Sequence, residues 1–165
     1  MKSKILYLVI LLLVITILIY VIKNYMSEVF KKPVNVVVGS KFGPRAAPVP
    51  GASTNHNGVD FPAPVGTPIT APFSGKISSI YEDKTYGGGN VILMSHPGKW
   101  RTGYAHLSAY GNFKVGDTVK QGDVIGYVGK TGRVSGPHLH FTLTNPKGEK
   151  VDPEQYFGKS LIAFA

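Results

Sequence analysis

The stretch His138-Leu139-His140-Phe141-Thr142-Leu143-Thr144 alternates polar and apolar side chains and is rich in β-branched residues. This pattern predicts a strand with one face packed against a core. Positions i and i+2 of a strand project from the same face. His138 and His140 are therefore predicted to lie side by side, with Leu139 and Phe141 packed on the opposite face.

Two other segments carry groups of the same chemical type. His56-Asn57-Gly58-Val59-Asp60 joins a histidine to an aspartate, and His106 lies within Tyr104-Ala105-His106-Leu107-Ser108. Asn57-Gly58 disfavours a helix, so His56 and Asp60 are predicted on a turn that leads into a short strand. The helical His-Glu-x-x-His signature is absent.

Imidazole nitrogen and carboxylate oxygen are ligands that zinc accepts in proteins. A catalytic zinc site uses three protein ligands and leaves one position to water. The chain offers one suitable carboxylate and a surplus of histidines, which indicates a mononuclear zinc hydrolase with its metal site on a β-sheet.

From residue 39 to residue 157 the chain resembles the lysostaphin-type, or LytM-type, zinc endopeptidases of bacterial cell walls. The resemblance rests on the order and spacing of several short phrases, each weak alone. These phrases are Ser40-Lys41-Phe42-Gly43-Pro44-Arg45, His56-Asn57-Gly58-Val59-Asp60, Gly66-Thr67-Pro68, Ala71-Pro72-Phe73-Ser74-Gly75, Tyr104-Ala105-His106-Leu107-Ser108, Gly116-Asp117-Thr118-Val119 and Gly136-Pro137-His138-Leu139-His140-Phe141.

The resemblance implies a role for each candidate residue. It implies that His56, Asp60 and His140 bind one zinc ion, and that His106 and His138 lie beside the metal. The latter two would handle the proton of the attacking water and stabilise the developing oxyanion, as imidazoles near neutral pKa can. The expected reaction is hydrolysis of a peptide bond without a covalent intermediate.

Some features limit that interpretation. Family members often carry an acidic residue after His-Leu-His-Phe, and Thr142 occupies that position, which puts substrate preference or rate in question. His96 is interpreted as a core or surface residue outside the site. The alternatives to a metal site are a hydrogen-bonded strand pair for His138 and His140 and a turn cap for Asp60.

The N-terminal segment predicts a membrane span. Residues 5–22 form an apolar run with lysines at both ends, long enough to cross a bilayer. A cleaved signal peptide is the alternative, but residues 21–25 offer no small-x-small cleavage site. We expect a transmembrane anchor over 1–23, with the N-terminus inside. The catalytic domain would lie outside the cytoplasm, in the periplasm or at the cell surface, or on a virion membrane if the source is viral.

The rest of the chain predicts one all-β domain, a mainly antiparallel sheet with an active-site groove. We expect a juxtamembrane tether over 24–35, reaching about 45 Å if extended, the peptidase domain over 36–158 and a C-terminal tail over 159–165. Strands are predicted at 68–80, 89–95, 101–107, 118–128 and 139–144. The stretch Tyr86-Gly87-Gly88-Gly89-Asn90 is either a flexible loop beside the groove or a plain hairpin turn.

Composition excludes some classes of protein. The chain has no cysteine, so disulfides and a cysteine nucleophile are excluded. The net charge is +9, and residues after Asn35 carry +5, which suits anionic wall polymers, a lipid surface or simply a solvated basic surface. The basic residues are scattered, so nucleic acid is a poor fit.

Two other functions remain open from the residues. One is a metal-free scaffold or regulator of another wall hydrolase. The other is a biotinyl- or lipoyl-like carrier barrel, suggested by the phrases at 71–77 and 116–123, although no lysine lies in the required hairpin context. For the enzyme, the substrate would be a peptidoglycan peptide, either an oligoglycine bridge or a stem-peptide cross-link.

Overall fold

The computed structural model describes residues 2–51 and 53–161, and its architecture is one apolar helix followed by antiparallel β-structure. Helix α1 spans Lys2–Ser27. The strands are β1 Gly43–Pro44, β2 Asn55–His56, β3 Val59–Pro62, β4 Pro68–Thr70, β5 Gly75–Asp83, β6 Gly89–Ser95, β7 Arg101–Leu107, β8 Ala109–Tyr110, β9 Thr118–Val119, β10 Val124–Tyr127, β11 His138–Thr144 and β12 Lys150–Val151. Short 3-10 helices lie at Pro97–Lys99 and Pro153–Gln155.

The main sheet has the strand order β12-β11-β7-β6-β5-β9, with β3 added alongside β11. Every pairing in it is antiparallel. A smaller sheet has the order β4-β10-β8, and β1 pairs with β2. The expected all-β, mainly antiparallel fold after an N-terminal apolar helix is confirmed.

The predicted strand bounds agree with the structure to different degrees. The bounds predicted for 89–95 and 101–107 match β6 and β7, and the one for 139–144 misses only the first residue of β11. The runs at 68–80 and 118–128 are each broken into two strands. The backbone turns at Pro72–Ser74 and at 120–123, where Asp123 accepts a hydrogen bond from the Lys120 amide, so each run feeds two different sheets.

The core lies under one face of the main sheet. Leu139, Phe141 and Leu143 of β11 are fully buried there, while His138 and His140 lie on the other face and are partly exposed. This is the division that the alternating pattern predicts. Phe141 contacts the aromatic rings of Phe61 and Tyr104 from the two neighbouring strands, so the strand that carries the histidines is anchored by aromatic contacts in the core.

The segment after α1, within the tether expected over 24–35, packs on the domain. The helix continues to Ser27, and Phe30 and Val34 are buried in the core. Phe30 stacks on Phe157 with ring centroids 5.4 Å apart. The extended reach of about 45 Å does not apply, because burial of these side chains fixes residues 28–34 against the domain.

Backbone and side-chain hydrogen bonds reinforce this attachment. The Glu28 carboxylate accepts hydrogen bonds from the backbone amide and the hydroxyl of Ser74. The side-chain amide of Gln121 donates to the carbonyl of Val29. The Phe30 amide donates to Lys159. Residues 159–161 of the expected tail therefore also belong to the packed domain, where Leu161 is buried; residues 162–165 of the predicted tail lie outside the described part of the chain.

Helix α1 has the length and composition of a membrane span. The window Lys4–Lys23 has a mean hydropathy of 3.3, and none of it is buried against the described part of the domain. A signal sequence near an N-terminus meets the same criterion.

Candidate metal centre

Three side chains from distant parts of the chain converge on one point. His56 Nε2 lies 3.1 Å from Asp60 Oδ1 and 3.0 Å from His140 Nδ1. The third side of the triangle, from His140 Nδ1 to Asp60 Oδ1, is 2.9 Å. His56 is buried, whereas Asp60 and His140 are partly exposed.

Sheet register brings these residues together. Strand β3 pairs with β11 so that Asp60 lies opposite His140. His56 reaches the same point because the chain turns at Asn57-Gly58 between β2 and β3. A Cβ at Gly58 would come within 2.3 Å of the Phe141 carbonyl oxygen and 3.0 Å of the His140 ring. Only glycine fits the turn this close to β11.

The hydrogen bonds around the triangle leave three lone pairs facing one another. The other ring nitrogen of His56, Nδ1, donates to the Lys41 carbonyl at 2.7 Å. Likewise His140 Nε2 donates to Asn57 Oδ1 at 3.1 Å. The facing atoms, His56 Nε2 and His140 Nδ1, are then unprotonated beside a carboxylate oxygen, and three such acceptors repel unless a cation lies between them.

The donor set and its dimensions suit zinc. Tetrahedral zinc with ligand bonds of about 2.0–2.1 Å separates neighbouring ligand atoms by about 3.3 Å. The observed separations of 2.9, 3.0 and 3.1 Å come close to that geometry. Two neutral imidazoles and one carboxylate are also a known set for catalytic zinc.

Arg45 orients the carboxylate from its other oxygen. Its guanidinium Nη1 donates to Asp60 Oδ2 at 2.8 Å and also to the Ser40 hydroxyl. Burial raises the pKa of Asp60, but the adjacent imidazoles of His140 and His56 outweigh it and hold that pKa well below its ordinary value. The carboxylate is therefore ionised, with Oδ1 left to the triangle.

His106 and His138 lie beside this triangle. Their ring centroids are 4.8 Å apart, and His138 Nε2 is 3.7 Å from Asp60 Oδ1. His106 Nδ1 donates to the Thr131 carbonyl, and His138 Nδ1 donates to the Gly136 carbonyl. Each ring thus keeps Nε2 free for a substrate or a water molecule.

The backbone of His106 is strained. Its φ of 66° lies in the left-handed region, which is uncommon for a residue other than glycine. A hydrogen bond from the His106 amide to the Gly88 carbonyl stabilises this conformation. Burial, aided by the charges of His138 and His140, lowers the pKa of His106 to about 4, so its ring is neutral.

A groove of about 560 Å³ runs over the exposed face of the sheet above His56, His106 and His140. The turn between β5 and β6 forms one wall. Asp83 accepts hydrogen bonds from the amides of Tyr86 and Gly88, and Gly87 accepts one from Arg133. The glycine-rich stretch is therefore a hydrogen-bonded hairpin turn that lies beside the groove. Its position is the one expected of a groove loop, and its conformation is the hairpin turn that was the alternative.

His96 does not join the cluster. Its Nδ1 donates to the Ser74 carbonyl at 3.0 Å, and its Nε2 accepts from the Thr102 hydroxyl at 2.8 Å. Burial lowers its pKa to about 4. Of the two positions expected for His96, core or surface, the structure shows the core.

Comparison with known proteins gives the family. Residues 54–153 match Peptidase family M23, and the chain belongs to that family. Its members are zinc-dependent metallo-endopeptidases that hydrolyse peptidoglycan. The resemblance stated from the sequence is confirmed, and membership of a peptidase family argues against the carrier barrel.

Particular relatives show how the similarity is distributed. The chain is 39% identical over 116 residues to the DD-carboxypeptidase/endopeptidase Mpg of Neisseria meningitidis, covering 70% of this chain and 26% of that protein. It is 46% identical to the glycyl-glycine endopeptidase ALE-1 of Staphylococcus capitis over 67% of this chain and 30% of that one. A zinc-containing peptidase from Vibrio cholerae has a TM-score of 0.67 and 35% identity, with 75% of this chain and 39% of that chain covered. The chain thus spans less than a third of the length of these two curated relatives.

The structure brings all five predicted site residues together and adds others that were assigned no role from sequence. Arg45 and Asn57 stood inside the quoted phrases, but their partners became visible only in the fold. The Lys41 and Thr131 carbonyls, which set the tautomers of His56 and His106, carry no sequence signal because any residue supplies a carbonyl.

Proposed function

We propose that this chain is a membrane-anchored zinc metalloendopeptidase that hydrolyses peptide cross-links or stem peptides of peptidoglycan. The observation that carries the proposal is the convergence of three unprotonated candidate ligand atoms, from His56, Asp60 and His140, on the floor of an open groove. Membership of Peptidase family M23 supports the same reaction.

In the proposed mechanism the three converging residues hold one zinc ion, which when bound supplies a Lewis acid and lowers the pKa of its water. His106 and His138 divide the remaining work through their free Nε2 atoms. One, as a neutral ring, accepts the proton of the attacking water, and the other, in its doubly protonated form, donates a hydrogen bond to the carbonyl oxygen as it gains charge. Arg45 orients Asp60 through its other carboxylate oxygen.

The N-terminal helix gives the proposed location. Residues 1–23 anchor the chain in a bilayer, with the N-terminus inside and the peptidase domain, assigned to 36–158, outside the cytoplasm. Helix α1 has the required length and composition, and the wall substrate lies outside the membrane. A protease added to intact cells should then degrade the domain, and a domain protected in intact cells but cut in lysed ones would refute this orientation.

Digestion of purified sacculi tests the reaction. The full chain with one equivalent of zinc should release peptides from sacculi of at least one wall chemistry, and mass spectrometry of the fragments identifies the bond. A chelator should abolish release and added zinc restore it. The metal-free scaffold is the second candidate, and a purified chain that takes up no zinc would favour it.

A further inference from the structure

The floor of the groove continues beyond the histidines along β11. Thr142 and Thr144 lie on the same face as His140, because side chains two positions apart in a strand share a face. Thr142 therefore follows His140 at a spacing of about 7 Å. The Lys150 ammonium donates a hydrogen bond to the Thr142 hydroxyl at 2.9 Å, and both residues line the groove that contains His56 and His140.

Sheet register places further cations in the row behind Thr142. Thr144 pairs with Lys150 on one side and with Arg101 on the other. Ser95 then connects Arg101 to Lys76. Residues paired across strands project from the same face, so Lys150, Arg101 and Lys76 form one row across the sheet, on the face of the groove.

This row lacks a matching anion. Among residues 2–51 and 53–161, no carboxylate forms an ion pair with Lys150, Arg101 or Lys76. Lys150 is an exposed residue, but desolvation of its ammonium against the sheet, together with the charge of Arg101, lowers its pKa. An ammonium whose only described partner is a neutral hydroxyl, and which lies beside a second cation, gains most from an anionic ligand.

We propose that Lys150, positioned by Thr142, binds a carboxylate of the substrate peptide about two residues from the bond that is cut. An extended peptide rises about 3.3 Å per residue, so a group about 7 Å from His140 along the floor is two residues away. Lys150 and Thr142 line the same groove as His56 and His140, where a peptide substrate would lie, which favours the peptide's own carboxylate over a phosphate of another wall polymer. The inference rests on the proposed function and names a determinant of its substrate.

Paired synthetic stem peptides test this inference. In each pair one carboxylate, of D-isoglutamate or of diaminopimelate, is present or replaced by its amide. With the zinc-loaded full chain in detergent micelles, kcat/KM should be about tenfold higher for the carboxylate form of one pair. Lys150→Gln should remove this preference and Lys150→Glu should reverse it. The preference should also shrink as salt rises, since the ammonium is only partly shielded from solvent.

Lys147 supplies the matched control. It lies in the turn between β11 and β12, is exposed, and does not line the groove. Lys147→Gln removes the same charge from the same hairpin and should leave the preference unchanged. Equal kcat/KM for both members of each pair, or a preference that survives Lys150→Gln, would overturn the proposal. So would Lys150-dependent inhibition by poly(glycerol phosphate) without any preference between the peptides.

A binding measurement separates this inference from the proposed reaction. Fluorescence anisotropy of labelled peptides with chelator-treated protein reports affinity in the absence of cleavage. If no peptide is cut with zinc, yet the carboxylate form binds about tenfold more tightly than the amide and Lys150→Gln abolishes the difference, the carboxylate site stands and the hydrolase fails. Equal affinities for the two forms refute the site.

Discussion

Single substitutions can separate the roles assigned to His106 and His138 from metal binding. His106→Ala and His138→Ala should each lower kcat by about 10²–10⁴-fold, because each removes a group placed to transfer or share a proton. Both rings lie outside the triangle of donor atoms, so zinc content should stay near one ion per chain. Turnover that survives both substitutions, with zinc retained, would remove the roles assigned to them.

Arg45 acts on the metal site through Asp60. Arg45→Met should weaken zinc binding by about 10–100-fold, because a carboxylate that loses its orienting partner is a poorer ligand. Competition with a chromophoric chelator measures this affinity. Arg45→Lys retains the charge without the planar guanidinium, so it should recover part of the loss. Zinc affinity unchanged in Arg45→Met would show that the ion pair with Asp60 does not orient the ligand.

At the level of elements, the turn between β2 and β3 is fitted to β11 through Gly58. Gly58→Ala should lower the free energy of unfolding by about 1–3 kcal/mol, because its Cβ would meet the Phe141 carbonyl oxygen at 2.3 Å. Urea unfolding of the metal-free chain measures the change. Gly136→Ala is the control, since a Cβ there meets no atom within 4 Å. Equal stability of the two variants would contradict the close approach.

The end of β6 depends on a neutral His96, and this gives stability a defined pH dependence. Folding lowers the pKa of His96 from 6.5 to about 4, so the neutral ring stabilises the fold above pH 6.5. This contribution is lost as the pH falls from 6.5 toward 4, because protons then bind the unfolded chain more readily. The loss between pH 7.5 and 5 should be about 2 kcal/mol.

Comparison with His96→Gln isolates this effect. The variant should be less stable than the wild type at pH 7.5, and its unfolding free energy should fall less steeply between pH 7.5 and 5. Both proteins are measured with the metal chelated, so that the histidines of the site contribute equally. Parallel pH profiles for the two proteins would rule out His96 as the titrating group.

At the scale of the whole molecule, the helix exit and the site are parts of one packed unit. Phe30 lies only three residues after α1, yet it is fully buried and its ring centroid is 6.0 Å from that of Phe141, the neighbour of His140. Phe30→Ala should therefore lower the free energy of unfolding of the domain by about 3–5 kcal/mol. Val37→Ala, at a side chain that is 80% exposed, should change it by less than about 0.5 kcal/mol. A Phe30 variant as stable as the Val37 variant would indicate a free tether after all.

Attachment of residues 28–34 also bears on how the domain works at a membrane. If α1 is an anchor, the groove has a fixed relation to residue 28 and does not swing on a long linker. The sequence placed a tether over 24–35, between the anchor and the domain. It did not show that the Phe30 ring would pack between those of Phe141 and Phe157.

The sequence by itself determined strands β6, β7 and β11, the apolar helix and the chemistry of the metal ligands, because these depend on side-chain type, on the alternation along β11 and on an unbroken apolar run. It also pointed to the five site residues, through phrases shared with a family. Only the tertiary structure decided which atoms meet. His56 and His140 are 84 residues apart, and their facing nitrogens, the Arg45–Asp60 ion pair and the Lys150–Thr142 contact follow from the register of β3 and β12 on β11 and from the pairing of β1 with β2. Register is a property of the assembled sheet and is not encoded in any one of its strands.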